Sequence, residues 1–322
     1  MLTPAAPTRA RGSAPSAVEK PVPAGALAGR RSYRLAWVLV GVAMVLRLGY
    51  YVVGEPYWID EAWLALNIVE RGWLELLAPL DHRQGAPPGF LYLLRSVYLV
   101  GGANEYVLRV WPLSFGLMSV LFFHAVARRV LAARVVVVGL ALFAFSMPLI
   151  RYSAEVKQYS LDVVVALAIV LAVLRVERLS ARVVAGLGLF GAVAVWLSHP
   201  SVFVLAAAGV VLAASEWRRV GWRALLPAGV LAAVWLASFG VLYLIQLREL
   251  MASDFMARSW RGGFMPLGSG IVEWARRRIW LFDDAVGFGL LPTWVFAVAV
   301  VGGVVRLALV RRYRELTLLA GP

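Results

Sequence analysis

Long apolar stretches recur along this chain, separated by short arginine-rich connections, and this pattern limits the possible folds more than any other feature. A helix of about 20 apolar residues is long enough to cross the hydrocarbon core of a bilayer. Hydrophobic residues make up 61% of the chain and charged residues 16%, whereas a soluble domain has roughly 45–50% and about 25%. Because helices satisfy their backbone hydrogen bonds internally, the sequence predicts an all-α polytopic membrane protein.

The arginine clusters predict how the chain crosses the membrane. Basic residues concentrate in the short cytoplasmic loops of membrane proteins. The clusters around Arg128, Arg178 and Arg219 all fall on the side of the basic N-terminus if the apolar segment 90–100, which carries Arg95, does not cross. We therefore predict about eight transmembrane helices, with segment 90–100 interfacial or re-entrant. The predicted spans are 35–53, 106–127, 135–150, 158–174, 183–197, 202–214, 225–247 and 286–305.

Composition divides the chain into three regions. Residues 1–34 are rich in Ala, Pro, Gly and Arg and have no hydrophobic period, which predicts a disordered cytoplasmic tail. Residues 35–305 form the transmembrane module, with outer loops at 54–105 and 248–285, and residues 306–322 form a cytoplasmic C-terminal tail. The net charge of +14 has meaning only relative to the spans, so nucleic acid is not a predicted partner.

Two adjacent carboxylates, Asp60 and Glu61, follow the first predicted span. The segment 60–77 has an apolar face that includes Leu66 and a polar face that includes Asn67, which predicts an interfacial helix. Carboxylates are favoured at a helix N-terminus, so the pair can be read as a helix cap. It can also be read as a chemical group. Since neighbours on a helix are about 100° apart, at most one of the two can face a substrate directly.

A second polar cluster, at 151–162, lies at the entry to another predicted span on the same outer side. If it is helical, Arg151, Glu155 and Tyr159 share one stripe and Lys157 lies on the opposite side. Ionisable residues at membrane depth are costly and by default mark a functional path. The alternative is a local ion pair between Arg151 and Glu155, four residues apart, with Lys157 facing lipid headgroups.

The remaining motifs mainly exclude functions. The chain has no cysteine, which excludes disulfides and thiolate metal sites. It has no Walker loop and no G-x-G-x-x-G fingerprint, which excludes nucleotide-driven pumps and nucleotide-sugar enzymes of the Rossmann type. Of the three histidines, His82 stands beside Asp81 and before two prolines and is the better candidate for a binding role. His199 lies in an outer turn and His124 in an apolar run.

Four motifs follow one another in the sequence. They are Asp60-Glu61-Ala62, Gln84-x-x-Pro87-Pro88-Gly89-Phe90, Arg109-x-x-Pro112 and Tyr152-Ser-x-Glu155-x-Lys157-x-Tyr159. In this order they resemble the polyprenyl-phosphate-dependent membrane glycosyltransferases of the GT-C superfamily. Protein O-mannosyltransferases, the aminoarabinose transferase of lipid A and the Rgt-type sugar transferases belong to that group. The resemblance covers residues 35–305.

The resemblance implies a function and assigns residues to it. A sugar carried on a polyprenyl phosphate would be transferred, with inversion, to a glycan, lipid or protein acceptor on the outer face of a bacterial inner membrane. Asp60 would be the general base and Glu61 its partner. A divalent cation, Mg²⁺ or Mn²⁺, would be held by the same two residues if the reaction uses one. The donor phosphate and substrate would be bound by Arg151, Glu155, Lys157, Tyr159, His82 and Gln84.

Two other functions are compatible with the sequence. A flippase or other transporter of lipid-linked sugars would need charges along a path through the bilayer. A non-catalytic subunit is the other alternative, because members of the GT-C superfamily usually continue with further spans and an outer domain. In that case a partner chain would complete the module.

Overall fold

The computed structural model describes residues 24–251, 265–266, 268–277, 293–309 and 312–320. All regular secondary structure in these ranges is helical, which confirms the predicted all-α class for this part of the chain. Most of the predicted outer loop 248–285 lies outside them. Residues 271–277 are helical, and the other α-helices are α1 (Ala24–Val53), α2 (Ile59–Glu70), α3 (Pro88–Gly101), α4 (Glu105–Leu108), α5 (Val110–Val130), α6 (Ala133–Phe145), α7 (Met147–Arg151), α8 (Tyr159–Arg175), α9 (Ala181–Leu197), α10 (Ser201–Val220), α11 (Leu225–Leu242), α12 (Arg248–Met251), α13 (Thr293–Leu309) and α14 (Tyr313–Ala320).

The first helix begins earlier than the sequence predicts. The prediction of a disordered tail over 1–34 is wrong for residues 24–34, which form the first turns of α1. Pro23 is the last proline before the helix, and the Ala, Leu and Arg residues that follow are strong helix formers. Further along α1, Ala36 and Val40 are buried in a core shared with Val120 of α5. The helix is therefore fixed by packing as well as by propensity.

Three helical runs in the described ranges are long and apolar enough to cross a membrane: Arg31–Val53, Glu105–Val130 and Ser201–Met251. A fourth candidate is the pair Ala133–Phe145 and Met147–Ala154, which is bent by 60° at its break. Eight spans are therefore not shown. The helices α8 and α9 have 17 residues each, fewer than the roughly 20 that an upright span of average thickness needs.

The helices run up and down in a bundle. Gly221 has a φ of +64°, a left-handed conformation that suits glycine, and it turns the chain between α10 and α11. Gly209 consequently faces the Trp235 ring across the hairpin, and Trp235 donates a hydrogen bond to the Leu187 carbonyl of α9. We call the end of the bundle where α1, α9 and α11 finish the loop end, and the opposite end the arginine end.

The helices α2 and α3 cover the loop end. α3 begins at Pro88, as the proline pair predicts, and has 14 residues. Phe90 and Leu94 on α3 are buried in the main core together with Leu64 and Ile68 on α2. These contacts fix the segment between the two helices, which carries several of the candidate site residues.

One residue of the predicted polar face of α2 is buried by the protein. Leu66 is 42% exposed, whereas Asn67 is only 1% exposed. Asn67 is buried because its side chain accepts a hydrogen bond from the Asp81 N–H and donates to the Asp81 carbonyl. The helix also ends at Glu70 rather than at residue 77. Arg95 donates hydrogen bonds to two carbonyls in its last turn. A later segment of the chain therefore covers the face that the sequence pattern assigns to water.

The predicted C-terminal tail 306–322 is, in its described part, the end of α13 and a docked helix. Leu318 of α14 is 1% exposed and belongs to the main core. Arg314 donates hydrogen bonds to the carbonyls of Val173 and Val176 at the end of α8, and Arg312 donates to the Val130 carbonyl at the end of α5. The last carbonyls of a helix lack partners within it and carry partial negative charge, so the two arginines cap both helices.

This docking predicts the effect of removing one cap. We expect Arg314→Ala to lower the free energy of unfolding by about 1–3 kcal/mol, because hydrogen bonds from a charged donor to half-buried carbonyls are lost. Thermal or denaturant unfolding of the detergent-solubilised protein measures the change. Arg218→Ala is the matched control, since Arg218 is exposed at the same end of the bundle. Equal stability of the two variants would contradict the capping role.

Candidate functional site

Three of the candidate residues form one chain of polar contacts at the loop end. The Gln84 amide donates to an Asp60 carboxylate oxygen at 3.4 Å, and the Lys157 ammonium donates to the Gln84 amide oxygen at 2.8 Å. Because an amide has one donor end and one acceptor end, the two charged partners fix its orientation. Gln84 therefore lies between a carboxylate and an ammonium that are kept out of direct contact.

The turn before Gln84 is strained. His82 and Arg83 have φ angles of +56° and +57°, a left-handed conformation that costs residues with a Cβ roughly 1–2 kcal/mol each. Asp81 anchors this turn through a salt bridge to Arg71, 2.8 Å long. Strain of this kind persists only where surrounding contacts hold it, and it is concentrated at functional sites. The turn leads into Gln84, which is 8% exposed and lies shortly before the pair Pro87–Pro88.

Residues 151–158 are not helical throughout, so the predicted single stripe is wrong. The helix α7 ends at Arg151, a 3₁₀ turn covers Tyr152–Ala154, and the Lys157 N–H donates to the Glu155 carbonyl at 2.7 Å. In an unbroken helix Lys157 would lie on the side opposite to Glu155. The break instead turns Lys157 towards the segment that follows α2.

The position of this broken segment is set by close packing on α5. A Cβ added at Gly116 would collide with the side chain of Ser153. Ser153 is completely buried, and the Ser160 hydroxyl donates to the Tyr152 carbonyl at 2.8 Å. The segment is therefore held between α5 below and the first turn of α8.

Glu61 is a buried structural group. It is 3% exposed, and its carboxylate accepts hydrogen bonds from the N–H groups of Trp58, at 3.0 Å, and Val156, at 2.7 Å. The Arg109 guanidinium lies 3.5 Å away and is equally buried. The first bond caps α2, as one reading of the sequence predicts. The other contacts join α2 to the 151–158 segment and to α5.

Arg109 is a residue that the sequence motifs contain but that sequence reasoning gave no role. It also lies 3.7 Å from Glu105 and 4.8 Å above the centre of the Tyr57 ring. Burial raises the pKa of Tyr57, so its hydroxyl stays protonated. The sequence does contain a signal for this role: Arg109 stands at the start of a long apolar stretch, where a charge needs a partner within the protein.

A small polar cavity of about 130 Å³ lies beside Glu61. Arg151 and Glu155 form the local ion pair that was the alternative reading of this segment. Asp60 and Lys157 do not line the cavity, so the predicted site consists of two neighbouring parts. Its polar wall residues are Tyr50, Glu55, Tyr57, Trp58, Glu61, Arg109, Arg151 and Glu155.

Burial opposes the charges of Glu155 and Lys157 in the broken segment. It lowers the pKa of Lys157, and the carboxylates of Asp60, Glu61 and Glu155 act in the opposite direction. It raises the pKa of Glu155, which the neighbouring Arg151 partly offsets. Partly desolvated charges interact more strongly with a charged ligand than solvated ones do.

The side chains of His82 and Tyr159 lie at the same end but outside the polar chain, to which His82 contributes its carbonyl oxygen, the acceptor of a 3.4 Å hydrogen bond from the Gln84 amide. The His82 ring stacks on Trp63, with 5.6 Å between the ring centres, and Tyr159 packs against Tyr152 at 4.5 Å. Both side chains are exposed. Their contacts shape the surface around Gln84 and Lys157, and no bond joins either one to Asp60 in the part of the chain that the structure describes.

The suggested metal site does not fit these contacts. Both oxygens of Glu61 already accept hydrogen bonds from backbone N–H groups, and Asp60 is the less engaged of the two carboxylates. Divalent Mg²⁺ and Mn²⁺ prefer several oxygen ligands. No group of three or more His, Cys, Asp or Glu side chains suited to a metal occurs among the described residues.

The two adjacent carboxylates are expected to differ in their effect on stability. Glu61→Gln leaves the Arg109 guanidinium buried beside a neutral group and should lower the free energy of unfolding by about 3 kcal/mol. Asp60→Asn is isosteric and changes a half-buried group with one long hydrogen bond, so we expect about 0.5 kcal/mol or less. Denaturant unfolding in detergent compares the two. Equal losses would contradict the assignment of Glu61 as the anchor.

The chain was compared with known proteins by sequence and by structure. No protein-family model matches it, and neither a curated protein nor a solved structure does. Its function therefore has to be inferred from the residues and contacts at the loop end.

Proposed function

We propose that this protein is a membrane glycosyltransferase that moves a sugar from a polyprenyl-phosphate donor to an acceptor hydroxyl, with inversion. The observation that carries the proposal is the chain from Asp60 through Gln84 to Lys157. It offers a carboxylate that can accept a proton and, at a fixed separation, a cation that can bind a phosphate. These are the two groups that such a transfer requires.

The contacts distinguish the roles of the two carboxylates. Glu61 accepts hydrogen bonds from two backbone N–H groups and lies 3.5 Å from the Arg109 guanidinium, so its charge is already compensated within the protein. Asp60 is half-exposed and accepts one long hydrogen bond from a neutral amide. We assign Asp60 as the general base and Glu61 as the residue that positions the helix carrying it.

In the proposed reaction each group has one role. Asp60 takes the proton of the acceptor hydroxyl while the acceptor oxygen forms a bond to the anomeric carbon. The bond from that carbon to the phosphate oxygen breaks, and its electron pair stays on the leaving phosphate. Lys157 stabilises the negative charge that develops there. Attack from the face opposite to the leaving group inverts the anomeric carbon.

The proposal includes eight spans, with the loop end outside the cytoplasm. Gly221 divides the run Ser201–Met251 into two antiparallel helices. A 17-residue helix is about 26 Å long, and a slightly thinned bilayer accommodates that length. Arginine-rich connections lie at the other end, on the side where cytoplasmic loops are expected.

An apolar groove supplies a place for the lipid tail of the donor. It lies between α10 and α11, has a volume of about 500 Å³ and is lined by side chains such as Leu205, Val210 and Leu236. Beyond α11, the Gln246 amide donates to the Ala86 carbonyl at 3.2 Å. The chain that leaves the groove at the loop end is thus in contact with the segment that carries Gln84.

The first test concerns the base. Asp60→Asn should lower the rate of transfer from a polyprenyl-phosphate sugar by about 10²–10⁴-fold, because the acceptor proton loses its acceptor. The measurement uses protein reconstituted in lipid and follows the glycosylated product by mass spectrometry. Glu70→Gln, at the exposed end of the same helix, is the control and should keep the original rate.

Two results would contradict the assignment. One is a transfer rate for Asp60→Asn equal to that of the unaltered protein. The other is movement of the labelled donor across the bilayer without any transfer product, which would favour the transporter.

The second test concerns pH. Because burial lowers the pKa of Lys157, its ammonium should lose its proton, and donor affinity should fall, at a lower pH than for an exposed lysine. Lys157→Arg keeps its charge at every accessible pH, so it should move the alkaline decline in kcat/KM upward or remove it. Lys20→Arg, at the other lysine of the chain, is the control. An unchanged decline in Lys157→Arg would exclude Lys157 as the phosphate ligand.

A further inference from the structure

A π-helical turn, Tyr243–Leu247, lies between α11 and α12 at the loop end. Such turns are rare, occur mostly as single turns within α-helices and are frequent at functional sites. This one carries Gln246, which is only 4% exposed, whereas its neighbours Leu244 and Ile245 are 68% and 41% exposed. A buried amide needs a hydrogen-bond partner, so the inward position of Gln246 depends on the contact that it makes there.

The Gln246 amide reaches the segment that follows Gln84. It donates a hydrogen bond to the carbonyl of Ala86 at 3.2 Å, and Ala86 is completely buried. One turn further along the same helical run, Leu250 packs on Gly85 so closely that a Cβ added to the glycine would lie 2.9 Å from the leucine Cδ2. The helical run therefore holds both of the residues that directly follow Gln84.

The position of Gln84 is sensitive to these contacts. The turn before it is strained at His82 and Arg83, and strained backbone persists only where neighbouring contacts hold it. The hydrogen bond from the Gln84 amide to Asp60 is 3.4 Å long, which is already longer than usual. A small shift of the Gln84 backbone would therefore break this bond.

We propose that Gln246 is a positioning residue, which holds Ala86 and thereby keeps the Gln84 amide between Asp60 and Lys157. Without this contact the Gln84 side chain moves away, and water or the Asp60 carboxylate becomes the partner of the Lys157 ammonium. The effect on catalysis rests on the transfer reaction proposed above, whereas the effect on Lys157 does not.

The loss of this positioning can be measured on Lys157 itself. The charged groups that act on its ammonium are Asp60 and Glu61 on α2 and Glu155 in its own segment. Water accepts a hydrogen bond as an amide does, and a carboxylate binds an ammonium more strongly, so access to either should raise the pKa of Lys157. The chain has two lysines, Lys20 and Lys157, so few signals arise when the lysine side chains are labelled with ¹³C.

The test is a pH titration of the lysine ¹³Cε signals by NMR, with the full chain in detergent and Lys20→Arg to assign them. We expect Gln246→Met, which keeps the length of the side chain and loses its N–H donor, to raise the midpoint for Lys157 by about 1 pH unit. Ile245→Met introduces the same residue at an exposed position of the same π-helical turn. It is the matched control and should leave the midpoint unchanged.

Two further variants test the route through Gln84. Leu250→Ala loosens the contact with Gly85 without removing a buried hydrogen bond, so it should shift the midpoint in the same direction by a smaller amount. In a protein that carries Gln84→Ala, the added change Gln246→Met should have no further effect on Lys157. The unfolding temperature of each variant shows whether it is folded.

The proposal is wrong if the Lys157 midpoint is unchanged in the folded variants Gln246→Met and Leu250→Ala, or if Gln246→Met shifts it by the full amount in the Gln84→Ala background. In an active protein the alkaline decline in kcat/KM should move upward together with the midpoint. The NMR titration needs neither donor nor acceptor. A midpoint that moves in a protein without transfer activity would therefore contradict the proposed function and support the positioning role.

Discussion

The buried carboxylate of Glu61 is the contact on which the loop end depends. It joins three parts of the chain that are far apart in sequence: the start of α2, the start of α5 through Arg109, and the broken segment through the Val156 N–H. A buried charge is stable only where hydrogen bonds and an opposite charge compensate its desolvation. Each of these elements therefore needs the others in place, and the position of Asp60 relative to Lys157 follows from that mutual requirement.

The use of one carboxylate for structure leaves its neighbour available for chemistry. Adjacent residues on a helix point about 100° apart, so Glu61 can face the core while Asp60 faces the surface. Gln84 in turn keeps Lys157 from pairing directly with Asp60. A direct ion pair between Asp60 and Lys157 would neutralise both groups, whereas the intervening amide gives each of them one neutral partner, at 3.4 Å for Asp60 and 2.8 Å for Lys157. A phosphate, being charged, binds an ammonium more strongly than a neutral amide does, so it can replace Gln84 as the partner of Lys157.

The sequence predicts the features that depend on local pattern. Apolar runs give the helices, the pair Pro87–Pro88 gives the start of α3, and Asp60 is identified as a candidate. The orientation of Lys157 could not be predicted, because it depends on a helix break fixed by the contact between Ser153 and Gly116. The burial of Asn67 depends in the same way on Asp81, fourteen residues later. Such contacts lie outside any helical period.

Several cations at the arginine end of the bundle have structural roles. At the arginine end, Arg312 and Arg314 donate to the last carbonyls of α5 and α8, and Arg219 pairs with Glu216, which in turn accepts from the Leu179 N–H. Some of these cations therefore stabilise the fold as well as marking the predicted cytoplasmic side, since they cap helices whose C-termini lie at that end. Arg128 lies at the same end of α5 and faces a cavity instead of a carbonyl. Arg128 is exposed and lies over the Tyr33 ring, so it needs neither a helix carbonyl nor a carboxylate as its partner.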